Sequence, residues 1–288
     1  MREDIIQCEE IVKEEEVLQC GLKPAIEVCF TSVLELDRTR SIPNWVWLLC
    51  SICTFLGHTL DGTDGKQARR MGVSGPTGEL FDHGLDSWST VPLTLTIFSI
   101  FGQGEFSLSP VRLLLVLISV QAVFIVSHWE KYNTGILFLP WNYDLSQYDN
   151  FYEMCLPLYP SLILFSISIL WALYSPGKII ERDPRLYLYT MGTVFSNIAC
   201  KLIIAQMCNT RAELFNLCLA VYSIVAITSL SGFLSAYQEL IFLRLAVAVI
   251  ISAHLHFGIC VVRQLCEHFK ISAFSLHYLQ HSSKHYNE

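Results

Sequence analysis

The sequence predicts an all-α fold, a polytopic membrane helical bundle of about seven transmembrane helices. Of its 288 residues, 52% are hydrophobic and only 16% are charged, and the mean hydropathy is +0.44. Soluble domains carry roughly 25% charged residues. Several uncharged segments also approach the roughly 20 residues that a helix needs to cross a hydrocarbon core about 30 Å thick. Composition and segment length therefore indicate the same class.

The apolar segments define the organisation of the chain. They are centred on residues 43–60, 87–102, 110–128, 155–175, 186–207, 214–235 and 239–264, and the second is the shortest. We assign residues 43–270 to one membrane domain. Residues 1–42 form an atypical acidic segment ahead of it, and residues 271–288 form a tail rich in His and Ser.

The positive charges after the first apolar segment predict the orientation. Lys66, Arg69 and Arg70 lie in this loop, and such residues concentrate on the cytosolic side of a membrane. Counting spans alternately makes the N-terminus luminal and the C-terminal tail cytosolic. The net charge of −7 mostly reflects acidic residues near the N-terminus. The sequence therefore lacks the basic face that nucleic-acid binding requires.

Residues 58–89 crowd charge between two apolar segments. Asp61 and Asp64 are spaced i, i+3, and Asp82 and Asp86 are spaced i, i+4, so each pair shares one helix face. Helix-breaking residues separate the pairs: Gly72, Gly75, Pro76 and Gly78. We expect two helices joined by a tight cytosolic loop, each presenting its carboxylates to the other.

Four converging carboxylates favour divalent metal binding. An aspartate costs about 2.5–3.5 kcal/mol at the centre of a membrane helix, and like charges repel unless cations neutralise them. Mg²⁺ binds through a few carboxylates and substrate phosphates. Two ions about 3.5–4 Å apart can clamp both oxygens of a displacement at phosphorus. A solvated loop without a metal is the alternative.

The pattern D-x2-D-G-x2-A-R-x8-G-x3-D-x3-D runs from Asp61 to Asp86 and resembles the complete signature of the CDP-alcohol phosphotransferase family. Its eight fixed positions span 26 residues, which makes the resemblance specific. The stretches "DGKQARR", "GELFDHGLDSW" and "SHWEKYNTG" extend the resemblance to the eukaryotic ethanolaminephosphotransferase branch, the selenoprotein I type. It covers most of residues 43–276.

This resemblance implies a reaction of phospholipid biosynthesis, the Kennedy pathway. Phosphoethanolamine passes from CDP-ethanolamine to diacylglycerol, giving CMP and phosphatidylethanolamine in the endoplasmic reticulum or Golgi membrane. The resemblance implies two Mg²⁺ or Mn²⁺ ions held by Asp61, Asp64, Asp82 and Asp86. The implied substrate-binding residues are Gly65, Ala68, Arg69, Gly78 and Glu79. It also allows a homodimer.

Two residues are candidates for the catalytic base. The family gives this role to the position of Asp86, but a carboxylate bound to a metal is a weak base. His83 is the alternative, since the ordinary pKa of histidine lies near the working pH. Both remain open.

The resemblance is incomplete in length. Family members have about ten spans, so a first span ahead of "PNWVW" and a pair of spans after "WNYDLSQ" are expected to be missing. A catalytically silent membrane subunit is therefore an alternative to an enzyme. Choline or dual choline/ethanolamine transfer is a second alternative, because the two headgroups differ only in N-methyl groups.

Polar residues also occur in the later apolar segments. His254 and His256 are two residues apart and lie on roughly opposite sides of a helix, so at most one faces the interior. Asn197, Lys201 and Gln206 either line a polar cavity or join helices by hydrogen bonds.

Overall fold

The computed structural model describes residues 76–101, 108–135 and 151–269, together with ten separate positions between residues 45 and 70. No strand occurs among these residues, which confirms the all-α class. The chain divides into two units, residues 1–85 with 257–288 and residues 86–256. The predicted terminal segments 1–42 and 271–288 lie outside the described residues.

Eight α-helices account for most of the residues that the structure describes. In chain order they are α1 (Pro76–Phe101), α2 (Pro110–Thr134), α3 (Phe151–Cys155), α4 (Tyr159–Tyr174), α5 (Ile179–Arg182), α6 (Pro184–Met207), α7 (Leu217–Leu230) and α8 (Ala236–Phe269). A 3-10 turn, Leu156–Leu158, links α3 to α4.

Four helical stretches are long and apolar enough to cross a membrane: Pro110–Thr134, Tyr152–Tyr174, Pro184–Met207 and Ala236–His268. They coincide with the predicted segments 110–128, 155–175, 186–207 and 239–264. The chain is therefore a multi-pass membrane protein. Segment 214–235 forms the shorter α7, and segment 87–102 forms the second half of α1. Most of segment 43–60 lies outside the described residues, and its described positions are helical.

The helix break predicted at Gly78 is wrong, whereas Pro76 lies at a helix boundary. Helix α1 begins at Pro76, and Gly78 lies in its first turn. Proline is favoured at this position because the first turn has no use for its missing N–H and its φ is already helical. The other two predicted breakers, Gly72 and Gly75, lie outside the described residues.

Four of the described helices begin at a side chain that accepts a hydrogen bond from the backbone N–H three residues later. These side chains are Ser109 before α2 (3.4 Å), Asp183 before α6 (3.1 Å), Asn216 before α7 (3.1 Å) and Ser235 before α8 (3.4 Å). Such a cap satisfies a backbone donor that the helix itself leaves unpaired. These residue types therefore explain where the helices start.

Helix α6 forms the centre of the larger unit. It contacts α2, α4, α5 and α7. In its most apolar stretch, 78% is buried inside the protein, compared with 17% in the corresponding stretch of α8. A buried aromatic cluster joins it to its neighbours: the Trp171 ring lies edge-on to Tyr187 at 5.2 Å and to Tyr222 at 5.5 Å. Helix α8 instead exposes most of its apolar surface, as expected where a helix faces lipid.

Helix α7 begins inside the bundle and not at its edge. The Asn216 amide donates a hydrogen bond of 2.8 Å to Oδ1 of Asn197, which lies ten residues before the end of α6. At about 1.5 Å per residue, this contact lies about 15 Å from that end. The segment 208–216 therefore runs back along α6. Because segment 208–216 already covers part of the membrane depth, the 14 residues of α7 are enough to cover the rest.

A buried carboxylate holds the opposite end of the larger unit. Glu239 is 1% exposed, and its Oε1 accepts hydrogen bonds from Trp171 Nε1 at 2.8 Å and Ser175 Oγ at 2.7 Å. Its Oε2 accepts from the backbone N–H of Gly177 at 3.1 Å. Burial of a charge is tolerated only when such partners replace water. Glu239 thus ties the start of α8 to the turn after α4.

Replacing Glu239 with alanine should destabilise the protein strongly. Three buried donors would lose their acceptor, and each unpaired group costs about 1–3 kcal/mol. We expect the free energy of unfolding to fall by at least about 2 kcal/mol in mixed-micelle titrations. Tyr237→Phe is the control, since Tyr237 is 70% exposed. Equal stability of the Glu239 variant and the control would contradict the assigned role.

Candidate active site

The acidic face of α1 is the candidate site. Asp82, His83 and Asp86 each offer one ligand atom, and these three atoms lie within 4.8 Å of one another. All three residues are half-buried. His83 Nδ1 lies 3.8 Å from Asp82 Oδ2. The helix therefore brings together both predicted base candidates and two of the four predicted metal ligands.

The position of the helix start explains this arrangement. Because α1 begins at Pro76, Gly78 and Glu79 occupy its first turn and the two aspartates follow on the next turns. Acidic residues near a helix N-terminus are stabilised by the helix dipole. Glu79 lies three residues before Asp82 and therefore shares its side of the helix.

The donor atoms of the site fit a divalent metal ion. Asp82 and Asp86 supply carboxylate oxygens, which Mg²⁺ and Mn²⁺ prefer, and His83 adds an imidazole nitrogen. Partial exposure leaves room for further ligands such as water or phosphate. The remaining predicted site residues, Asp61, Asp64, Gly65, Ala68 and Arg69, lie outside the described residues.

Two residues that the sequence did not single out lie directly behind this site. Ser87 follows Asp86, is fully buried, and shares a hydrogen bond of 2.8 Å with the buried Ser196 of α6. The sequence contains a weak signal for this contact, because Gly192, Ser196 and Cys200 are spaced four residues apart. Such spacing of small residues is typical of close helix contacts in membranes.

The polar residues of α6 join helices. Asn197 accepts the hydrogen bond from Asn216, and its Nδ2 donates to Nδ1 of His254 at 3.2 Å. Lys201 lies 3.4 Å from Glu213 and donates to the carbonyl oxygen of Phe215 at 3.3 Å. These contacts support the helix-joining interpretation for Asn197, whereas Lys201 holds the segment between α6 and α7.

The two histidines of α8 differ as predicted. His254 reaches Asn197 in the interior, whereas His256 is exposed. Because the Asn197 amide nitrogen can only donate, Nδ1 of His254 accepts, and the proton of the neutral ring lies on Nε2.

Comparison with known proteins identifies the family. Residues 24–179, more than half of the chain, match the sequence model of the CDP-alcohol phosphatidyltransferase family. The chain belongs to this family. It is therefore a transferase of the CDP-alcohol phosphotransferase type, whose substrates are CDP-alcohols and diacylglycerol-type lipids and which generally uses divalent metals.

The chain is similar to ethanolaminephosphotransferases and, at lower identity, to a cholinephosphotransferase. Ethanolaminephosphotransferase 1 of Homo sapiens is 38% identical over 300 aligned positions, which cover 82% of this chain and 75% of the relative. The Mus musculus protein of the same name is 37% identical with the same coverage. Cholinephosphotransferase 1 of Rattus norvegicus is 27% identical over 244 positions, covering 62% of this chain and 59% of the relative.

The alignment with the human relative also reveals an internal difference in length. Because 82% of 288 residues is about 236, about 64 of the 300 aligned positions have no residue in this chain. A membrane helix needs roughly 20 residues, so this difference has the size of a helix pair with its loops. It agrees with the predicted loss of some family spans.

Asp82→Asn should weaken the binding of Mn²⁺, since the amide keeps the shape of the side chain but removes the charge. We expect the dissociation constant, measured by electron paramagnetic resonance on the purified protein, to rise at least about tenfold. Glu79→Gln is the matched comparison: Glu79 is one turn earlier and outside the three-residue group, so a smaller effect is expected. Unchanged Mn²⁺ affinity in Asp82→Asn would show that Asp82 is not a ligand.

Proposed function

We propose that the chain transfers phosphoethanolamine from CDP-ethanolamine to diacylglycerol, producing phosphatidylethanolamine and CMP. The observation that carries this proposal is the identity of 38% to human Ethanolaminephosphotransferase 1, against 27% to rat Cholinephosphotransferase 1. The greater coverage in the first comparison, 82% against 62% of this chain, points the same way.

The proposed metal site consists of Asp61, Asp64, Asp82 and Asp86, which would hold two Mg²⁺ or Mn²⁺ ions. When bound, the ions supply neutralisation of the pyrophosphate charge and stabilisation of the departing phosphate oxygen. The backbone at Gly65 and Ala68 lets the cytidine diphosphate approach closely, because no large side chain intervenes. Arg69, Gly78 and Glu79 complete the proposed substrate-binding group.

The proposed reaction is a displacement at phosphorus. The hydroxyl oxygen of diacylglycerol attacks the phosphorus that carries ethanolamine, and the bond from that phosphorus to the oxygen of CMP breaks. The hydroxyl proton passes to His83 or to Asp86. For His83, the acceptor is Nε2, because Nδ1 is the nitrogen that lies 3.8 Å from Asp82 Oδ2. Asp82 then stabilises the charged imidazole that forms.

The proposed location is the membrane of the endoplasmic reticulum or Golgi, with the active-site loop in the cytosol. Exposed Lys66 and Arg70 support this orientation, since basic residues mark the cytosolic side. The donor CDP-ethanolamine is water-soluble, whereas diacylglycerol stays in the bilayer. A site at the cytosolic end of α1 lets both substrates meet.

Choline transfer is the second candidate, favoured by the match to rat Cholinephosphotransferase 1. The two candidate functions can be distinguished in microsomes that contain this chain and come from cells without ethanolamine- or cholinephosphotransferase activity of their own. With diacylglycerol present, we expect radiolabel from CDP-ethanolamine to enter lipid and unlabelled CDP-choline to compete weakly. Preferential transfer from CDP-choline would overturn the ethanolamine assignment, and transfer from neither donor would contradict the proposed activity.

His83→Ala and Asp86→Asn should separate the two base candidates. If His83 is the base and Asp86 a ligand, His83→Ala lowers kcat by about 10²–10⁴ without changing the metal concentration that gives half-maximal rate. Asp86→Asn should instead raise that concentration. Full activity of His83→Ala would exclude histidine from proton transfer. Asp82→Asn, a change at a proposed ligand on the same helix, is the matched control for loss of metal.

A further inference from the structure

Helices α1 and α6 meet immediately after Asp86. The hydroxyl groups of Ser87 and Ser196 lie 2.8 Å apart, and both residues are 0% exposed. The two hydroxyl groups therefore satisfy one another in a contact that is closed to solvent.

A glycine allows the two helices to approach closely one turn further on. A Cβ atom added to Gly192 would overlap Cγ2 of Val91, a residue that is itself 0% exposed. Valine is stiff at χ1 and cannot easily turn away. Gly192 and Ser196 therefore form the α6 side of a tight contact, and Ser87 and Val91 form the α1 side. We name these four residues the α1–α6 seam.

The seam determines which way the acidic face of α1 points. Consecutive residues of a helix are separated by about 100°, so holding Ser87 against α6 also determines the direction of Asp86. A carboxylate oxygen lies roughly 6 Å from the helix axis, so a rotation of about 20° moves it by about 2 Å. Metal–ligand distances tolerate only about 0.2 Å. Small rotations of α1 would therefore disturb metal binding.

We propose that Gly192 and Ser196 are positioning residues for the metal site: they set the rotation of α1 and so hold Asp86 in the geometry that a divalent ion requires. The inference rests on the proposed function of Asp82 and Asp86 as ligands. Neither Gly192 nor Ser196 is proposed as a ligand of the ion. Their effect reaches the site through the backbone of α1.

The first test compares Gly192→Ala with a compensated double variant. Protein purified into lipid nanodiscs is titrated with Mn²⁺ and followed by electron paramagnetic resonance. We expect Gly192→Ala to raise the Mn²⁺ dissociation constant about tenfold. The Val91→Ala/Gly192→Ala variant removes the atom that the new Cβ would meet, and its dissociation constant should return to within about twofold of wild type.

Gly177→Ala is the matched control for general damage. A Cβ at Gly177 would overlap Glu239 Oε2, so this glycine is equally obstructed but belongs to the turn after α4. We expect a lower Tm and an unchanged Mn²⁺ dissociation constant. Equal loss of Mn²⁺ affinity in Gly177→Ala and Gly192→Ala would show that the seam contributes only to the stability of the fold. This outcome would overturn the proposal.

Ser196→Ala keeps the test decisive if Gly192→Ala does not fold. It removes one hydroxyl of the seam without adding volume. Ser223→Ala on α7 is its control, since the Ser223 hydroxyl donates within its own helix, to the carbonyl of Leu219. We expect weaker Mn²⁺ binding in the first variant alone. Unchanged Mn²⁺ affinity in Ser196→Ala would overturn the positioning role of Ser196, and unchanged affinity in a folded Gly192→Ala would overturn that of Gly192.

Wild-type behaviour separates this proposal from the proposed function. If the wild-type protein binds Mn²⁺ and needs it for transfer, the seam variants test positioning alone. If the wild-type protein binds no Mn²⁺ and transfers in excess EDTA, the proposed metal site itself fails and the positioning role fails with it.

Discussion

Polar groups inside a membrane must find their partners within the protein, because hydrocarbon offers no hydrogen bonds. In the described part of this chain, α6 supplies several of these partners. One side of this helix bonds to Ser87 of α1 through Ser196, and another reaches α7 and α8 through Asn197. A helix with so many polar partners has one stable orientation, and its neighbours take their register from it.

The same constraint accounts for two irregular parts of the larger unit. The segment 208–216 can run back along α6 because Lys201 and Asn197 bind it on the way. At the other end, the turn after α4 is buried at Gly177 because Glu239 accepts its N–H. In both places a side chain from a neighbouring helix replaces water, which is why non-helical backbone is tolerated there.

Much of the fold and part of the site could be predicted from the sequence. Long apolar segments predicted α2, α6 and α8, and the spacing of Asp82 and Asp86 predicted a shared helix face, because both signals are local. The prediction that Gly78 breaks a helix is wrong, because Pro76 begins α1 and Gly78 lies in its first turn. The Ser87–Ser196 contact joins residues 109 positions apart. No local pattern specifies such a pairing.

The acidic site and the seam lie on different sides of the same helix, and this separation has a physical reason. Carboxylates that bind an ion need access to water, phosphate and lipid, so their face of α1 cannot also be covered by another helix. The opposite face must then supply the rigidity, and it does so with small residues that allow close approach. Asp86 and Ser87 are adjacent in sequence, so α1 passes directly from the binding side to the anchoring side. In the proposed metal site, precision therefore depends on side chains that are not themselves ligands.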